Sequence, residues 1–124
     1  GFGKQLVTAI KRDFPDAEIA AVGTNSVATG AMLKAGADHG ATGENAVIVG
    51  ARKADIIAGP IGIVIADSLY GEITPKMALA VAQSNAKRIL IPFNHCDNII
   101  AGVSDLSVGK LIQSAVEEIR KSLA

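Results

Sequence analysis

The sequence predicts an α/β protein, a Rossmann-like three-layer α/β/α sandwich with a mainly parallel sheet. Short apolar runs alternate with helical segments along the whole chain. The runs are continuously apolar, which is typical of strands that are covered on both faces. They end in glycine, proline or capping side chains, as parallel strands do where they pass into crossover helices.

Length and composition indicate one globular domain over residues 1–124, with 49% apolar and 19% charged residues. Twelve basic and twelve acidic residues cancel, so no net field attracts nucleic acid or an anionic membrane. Aromatic residues at 3% argue against a base-stacking surface. The single cysteine, Cys96, rules out an internal disulfide and fits a cytoplasmic protein. Every apolar run is shorter than the roughly 20 residues that a membrane-spanning helix needs.

The chain begins with Gly1-Phe2-Gly3, directly ahead of a helix predicted over residues 4–14 and stopped by Pro15. In a doubly wound fold the first helix follows a strand and a glycine-rich turn. We therefore expect the sequence to start inside that turn, with the first strand missing from this chain. A vector-derived residue would explain Gly1 but not Gly3.

The next segment, residues 18–22, predicts a strand that ends at Gly23. Capping side chains then begin a helix that continues to Lys34 and ends at Gly36; they are Thr24, Asn25 and Ser26.

A short strand or a loop is expected over residues 37–41. Thr42 follows as the predicted cap of a helix over residues 43–52. Arg52 and Lys53 suit the last turn of that helix because they face its negative dipole end.

Residues 55–67 are the apolar centre of the chain. Residues 56–58 predict a buried strand, and Gly59-Pro60-Ile61-Gly62 breaks the run. Because proline suits the first turn of a helix, residues 61–69 predict a short buried helix. A hairpin with residues 63–65 as its second strand is the alternative, since β-branched residues favour strands.

The remaining elements follow in regular order. Thr74 and Pro75 begin a helix that reaches about Ser84. Three further segments are a buried strand at residues 89–91, a last strand at 99–103 and a final amphipathic helix over 107–122.

Parallel sheets bind ligands at the carboxyl ends of their strands. Three turns meet there, which are Gly23-Thr24-Asn25-Ser26, Gly59-Pro60-Ile61-Gly62 and Pro92-Phe93-Asn94-His95. A fourth, Gly1-Phe2-Gly3, would join them if the missing strand exists. The candidate ligand-binding residues are Gly1, Gly3, Thr24, Asn25, Ser26, Gly59, Pro60, Gly62 and Asn94. Helix N-termini and the absence of carboxylates on the three turns favour an anion, and Asn25→Asp is predicted to weaken its binding.

The sequence gives weaker support for NAD binding, for a metal site and for catalytic side chains. Ordinary NAD sites have an acidic residue that binds the ribose, but at that place this sequence has the turn that contains Thr24. The run Asn94-His95-Cys96-Asp97 and the isolated His39 do not make a set of metal ligands, so no metal site is predicted. Glu44 and Asn45 suit a helix start, while three polar residues either line the cleft or mark its solvated end: Asp67, Ser68 and Glu72.

Four segments carry a resemblance: Gly-Thr-Asn-Ser-Val-Ala-Thr-Gly-Ala-Met-Leu-Lys-Ala-Gly-Ala, Gly-Ala-Thr-Gly-Glu-Asn-Ala, Gly-Pro-Ile-Gly-Ile-Val-Ile-Ala-Asp-Ser and Gly-Glu-Ile-Thr-Pro-Lys-Met-Ala. Over the whole chain it resembles a family of small bacterial proteins known only as a domain of unknown function. The resemblance implies the Rossmann-like fold and supplies no catalytic residues and no cofactor. It also implies a short strand and a glycine-rich turn ahead of Gly1-Phe2-Gly3.

Two functions remain open. The protein binds a small anionic or nucleotide-like ligand at the carboxyl edge, with or without catalysis, or it is an oligomeric interaction module without such a ligand. In both cases we expect a homo-oligomer, because so apolar a small domain must cover surface.

Overall fold

A computed structural model of the chain describes residues 1–93 and 97–124. The described part contains five α-helices, four short strands and one 3-10 helix. The helices are α1 Phe2–Asp13, α2 Ser26–Lys34, α3 Glu44–Lys53, α4 Pro75–Gln83 and α5 Val108–Leu123; the strands are β1 Ala20–Gly23, β2 His39–Thr42, β3 Ile56–Pro60 and β4 Lys87–Ile91; the 3-10 helix is Ile61–Val64.

The strands form two parallel pairs. β1 pairs with β2, from Ala20 beside His39 to Gly23 beside Thr42. β3 pairs with β4, and Pro60 lies beside Ile91 at the end of that pair. The predicted α/β class with parallel strands is therefore confirmed. Among the described residues the pairs are separate two-stranded sheets and do not join into one continuous sheet.

Helix starts follow the predicted caps with one exception. Asn25 caps α2 through its side chain, and Thr74 caps α4 with Pro75 in the first turn. The predicted Thr42 cap of α3 is wrong, because Gly43 takes that position. Its φ of 100° lies in the left-handed region, which glycine adopts without a steric penalty. Ser107 caps α5.

The helix predicted over residues 61–69 is wrong beyond its first turn. After Val64 the chain turns, and three residues other than glycine have left-handed backbones: Asp67, Leu69 and Tyr70. A left-handed residue cannot continue a right-handed α-helix. The alternative hairpin does not form either, since Ile63 and Val64 lie in the 3-10 helix.

The strand predicted over residues 99–103 does not form in the part of the chain that the structure describes. Ile99 is 94% exposed and Gly102 has a φ of 81°. A run of apolar residues becomes a strand only when a neighbouring edge pairs with it.

The main core lies between α1, α5 and the β3–β4 pair. It contains Leu6 and Ala9 of α1, Ile89 and Ile91 of β4, and the buried stripe of α5, which is Leu111, Ile112, Ala115, Val116 and Ile119. A smaller cluster joins Ile73 to Met77 and Ala78 on the other face of the fold. No helix within the described residues is long and apolar enough to cross a membrane.

Candidate functional site

The starts of α2 and α3 lie side by side at the carboxyl edge of the first strand pair. The backbone N–H of Gly43 donates to the carbonyl of Gly23 at 3.0 Å. The side chain of Thr29 adds a second link, with its Oγ1 2.8 Å from Oγ1 of Thr42. The starts of α2 and α3 are therefore adjacent, although of these two the sequence predicted only the start of α2 at this edge.

Asn25 uses both ends of its side-chain amide within the protein. Its Oδ1 accepts from the backbone N–H of Ala28 at 2.9 Å, and its Nδ2 donates to Oε2 of Glu72 at 3.3 Å. Because Glu72 belongs to the loop ahead of α4, this contact brings a carboxylate to the edge from outside the three turns. The three turns carry no carboxylate of their own, and of the two roles left open for Glu72 this contact favours a place beside the edge.

A second carboxylate lies at the start of α3. Oε2 of Glu44 accepts from the hydroxyl of Thr74 at 2.5 Å, and Oγ1 of Thr74 accepts in turn from the backbone N–H of Met77 at 3.2 Å. A carboxylate in the first turn complements the positive end of the helix dipole. The pair also ties the start of α3 to the start of α4, so Thr74 has a structural role that a cap pattern alone does not reveal.

α1 and α2 differ from α3 because neither has an acidic residue in its first turn. In α2 the backbone N–H groups of Ser26 and Val27 have no acceptor among the described residues. Both residues are exposed, as is Asn25, while Thr24 is half-buried. The start of α2 therefore presents two backbone donors to the solvent at the edge, beside the Glu72 carboxylate.

The start of α1 lies beside the residues that follow β4, in the second strand pair. The ring of Phe2 stacks on the ring of Phe93, which follows β4, with 4.3 Å between the centroids and 12° between the planes. This aromatic pair was not predicted from the sequence, where only the small number of aromatic residues could have drawn attention to it.

The predicted glycines divide by their surroundings. Gly1 is exposed, and a Cβ there would meet nothing within 4 Å. At Gly3 a Cβ would lie 2.8 Å from Sδ of Met32, so this glycine lets α1 pack closely on α2. At the buried Gly62 a Cβ would lie 3.1 Å from Oγ of Ser68, whose hydroxyl donates to the Gly62 carbonyl.

The remaining candidate residues contribute less to the site. Gly59 is buried within β3 and Pro60 ends that strand, so both position the turn. Asn94, with His95 and Cys96, lies outside the described residues. His39 begins β2, at the opposite end from the candidate edge, and its Nε2 is 2.8 Å from Oε1 of Glu18. Asp67 is exposed on the loop after the 3-10 helix.

Two cavities lie away from the start of α2. One of about 300 Å³ lies between β4, residues 102–106 and α5, and one of about 470 Å³ lies between α1 and α5. Of the candidate ligand-binding residues that the structure describes, which leaves out Asn94, none lines either cavity. Within residues 1–93 and 97–124, no group of three or more His, Cys, Asp or Glu side chains is placed to hold a metal ion.

The chain belongs to the family described as Domain of unknown function (DUF3842), which matches residues 1–124. This match confirms the resemblance to an uncharacterised family. Searches of curated proteins and of solved structures found no match.

Proposed function

We propose that this member of the family binds a small anionic, nucleotide-like ligand at the carboxyl edge of its strands. The observation that supports the proposal is the start of α2, where exposed N–H groups at Ser26 and Val27 face no acidic residue in their own helix. Oriented backbone donors and the positive end of a helix dipole favour a phosphate.

The two carboxylates at the edge define the rest of the ligand. Glu72 and Glu44 would repel a second anionic group, but they accept hydrogen bonds from hydroxyls, as acidic residues do from the ribose in dinucleotide folds. A ligand with one phosphate end and a hydroxyl-rich end matches this distribution of charge. A nucleoside monophosphate is the simplest such molecule. The single cysteine, Cys96, is consistent with action in the cytoplasm.

Charge at the start of α2 tests this proposal. Asn25→Asp keeps a side chain that caps a helix well, yet it adds a negative charge at the edge and removes the donor to Glu72. Ser107→Asp is the matched control, since it adds the same charge at the cap of α5. We expect the affinity for adenosine monophosphate, measured by isothermal titration calorimetry, to fall about tenfold or more in Asn25→Asp and to stay unchanged in Ser107→Asp.

The titration also uses inorganic phosphate and adenosine, so that each half of the ligand is measured alone. Binding of the monophosphate with weak binding of each half supports the proposal. Equal affinities of the two variants, or no heat with any of the three compounds, would contradict it.

A second candidate function is self-association without a small ligand. The segment of residues 99–106 exposes three large apolar side chains, with Ile99 at 94%, Val103 at 47% and Leu106 at 45% exposure. Apolar side chains grouped in one exposed segment are typical of a protein–protein contact. A melting temperature that rises with protein concentration and ignores nucleotides would favour this function.

A further inference from the structure

Tyr70 is an exposed aromatic side chain on the loop between the 3-10 helix and α4. Its exposed fraction is 104%, the highest among the large apolar side chains of the described residues. Neither its hydroxyl nor its ring has a hydrogen-bond or ring partner in this part of the chain. An exposed ring buries no apolar surface, so it does not stabilise the fold through burial. Folding alone therefore gives no reason for an aromatic residue at this position.

The backbone of Tyr70 is held in a conformation that tyrosine disfavours. Its φ is 56° and that of Leu69 is 55°, both in the left-handed region that bulky residues rarely adopt. The surrounding loop fixes both residues. The side chain of Leu69 packs on the cluster that contains Ile73, and the carbonyl of Leu69 accepts from the N–H of Glu72 at 3.1 Å. A backbone held against its own preference in this way is typical of residues that contact a ligand.

The loop brings Tyr70 to the start of α2. Tyr70 precedes by two positions Glu72, whose Oε2 accepts from Nδ2 of Asn25 at 3.3 Å. Val27 follows Asn25 by two positions and is 81% exposed. Residues two positions apart have Cα atoms at most about 7 Å apart. Two exposed apolar side chains, Tyr70 and Val27, therefore flank the hydrogen bond between Asn25 and Glu72.

Apolar side chains beside a few polar groups are the usual lining of a small-molecule site. A phosphate or a sugar gains little from an aromatic ring, whereas the flat apolar face of a nucleobase stacks on one. We propose that Tyr70 stacks on the base of a nucleotide whose phosphate binds at the start of α2. This assignment rests on the function proposed above, and it adds the side chain that recognises the base. A single ring is sufficient for a mononucleotide, so the low aromatic content is no obstacle.

The fluorescence of Tyr70 gives a direct test. Tyr70 is the one tyrosine of the chain, which has no tryptophan, so tyrosine emission reports this residue alone. We expect adenosine monophosphate to quench the emission until the site is saturated, and ribose 5-phosphate to leave it unchanged. A solution of free tyrosine, titrated in parallel, corrects for light that the adenine absorbs.

Calorimetric titration of three variants measures what the ring contributes to affinity. Tyr70→Ala should weaken the binding of adenosine monophosphate about tenfold, because it removes the stacking surface. Tyr70→Phe keeps the ring and should bind within about twofold of the parent protein. Leu123→Ala is the matched control, since it truncates an exposed apolar side chain at the end of α5 and should leave the affinity unchanged. Inorganic phosphate should bind equally to the parent protein and to Tyr70→Ala.

The outcomes separate this proposal from the function on which it rests. Quenching by adenosine monophosphate together with the loss of affinity in Tyr70→Ala supports the proposal. Equal affinities of the parent protein and Tyr70→Ala for this nucleotide overturn the stacking role and leave the ligand site in place. No heat with any nucleotide overturns both. Unchanged nucleotide affinity with a lower light-scattering mass in Tyr70→Ala also overturns the stacking role, since Tyr70 would then contact a second copy of the chain.

Discussion

Removing the hydroxyl of Thr74 should destabilise the protein by more than the loss of an ordinary helix cap. The side chain accepts from the Met77 N–H at 3.2 Å and donates to the Glu44 carboxylate at 2.5 Å, and the residue is half-buried. Loss of a cap costs about 1 kcal/mol. A hydrogen bond to a charged group contributes about 1.5–3 kcal/mol. We expect Thr74→Ala to lower the free energy of unfolding by about 2–4 kcal/mol in total.

Urea denaturation of Thr74→Ala and of matched variants separates these two contributions. Ser107→Ala removes an exposed cap without a carboxylate partner and should cost about 1 kcal/mol. Thr74→Ser keeps the hydroxyl and should recover most of the loss. A double-mutant cycle of Thr74→Ala with Glu44→Gln should give a coupling energy of about 1 kcal/mol or more. Equal costs for Thr74→Ala and Ser107→Ala, with no coupling to Glu44, would refute this reasoning.

Three further predictions concern the core, the pH dependence and the oligomeric state. Ile89→Ala should lower the free energy of unfolding by about 2–5 kcal/mol, whereas Lys121→Ala should change it by less than about 0.5 kcal/mol in the same denaturation assay. The pKa of Asp38 is lowered, first by the hydrogen bond from the Ile19 N–H and then by Lys11. The ionised Asp38 carboxylate therefore stabilises the folded protein above the unfolded-state pKa, and this stabilisation is lost as the pH falls through the folded-state pKa. The melting temperatures of Asp38→Asn and of the parent protein should therefore converge in acid. A difference in melting temperature that stays the same at every pH would contradict this. Light scattering at micromolar concentration should give a mass above one chain, and Ile99→Asp should reduce it; a monomer mass for the parent would exclude the oligomer.

Patterns within about ten residues were sufficient for most elements. The cap at Asn25, the Thr74-Pro75 helix start and the amphipathic stripe of α5 depend on neighbours in the chain, and the structure has each of them. The helix predicted over residues 61–69 was wrong for a local reason as well. An apolar run fits a buried helix and a turn that packs on the core equally well, and backbone angles such as the φ of 66° at Asp67 decide between them.

The sequence by itself determined the α/β class, the parallel direction of the strands and the set of turns that carry the candidate site. Those features follow from apolar runs, caps and glycines, whose energies are local. Only the tertiary structure decided which polar groups meet. Asn25 and Glu72 are 47 positions apart, and Glu44 and Thr74 are 30 apart. Such contacts depend on how the helices pack and on how the strands pair, because residues this far apart in the chain meet only in the folded protein.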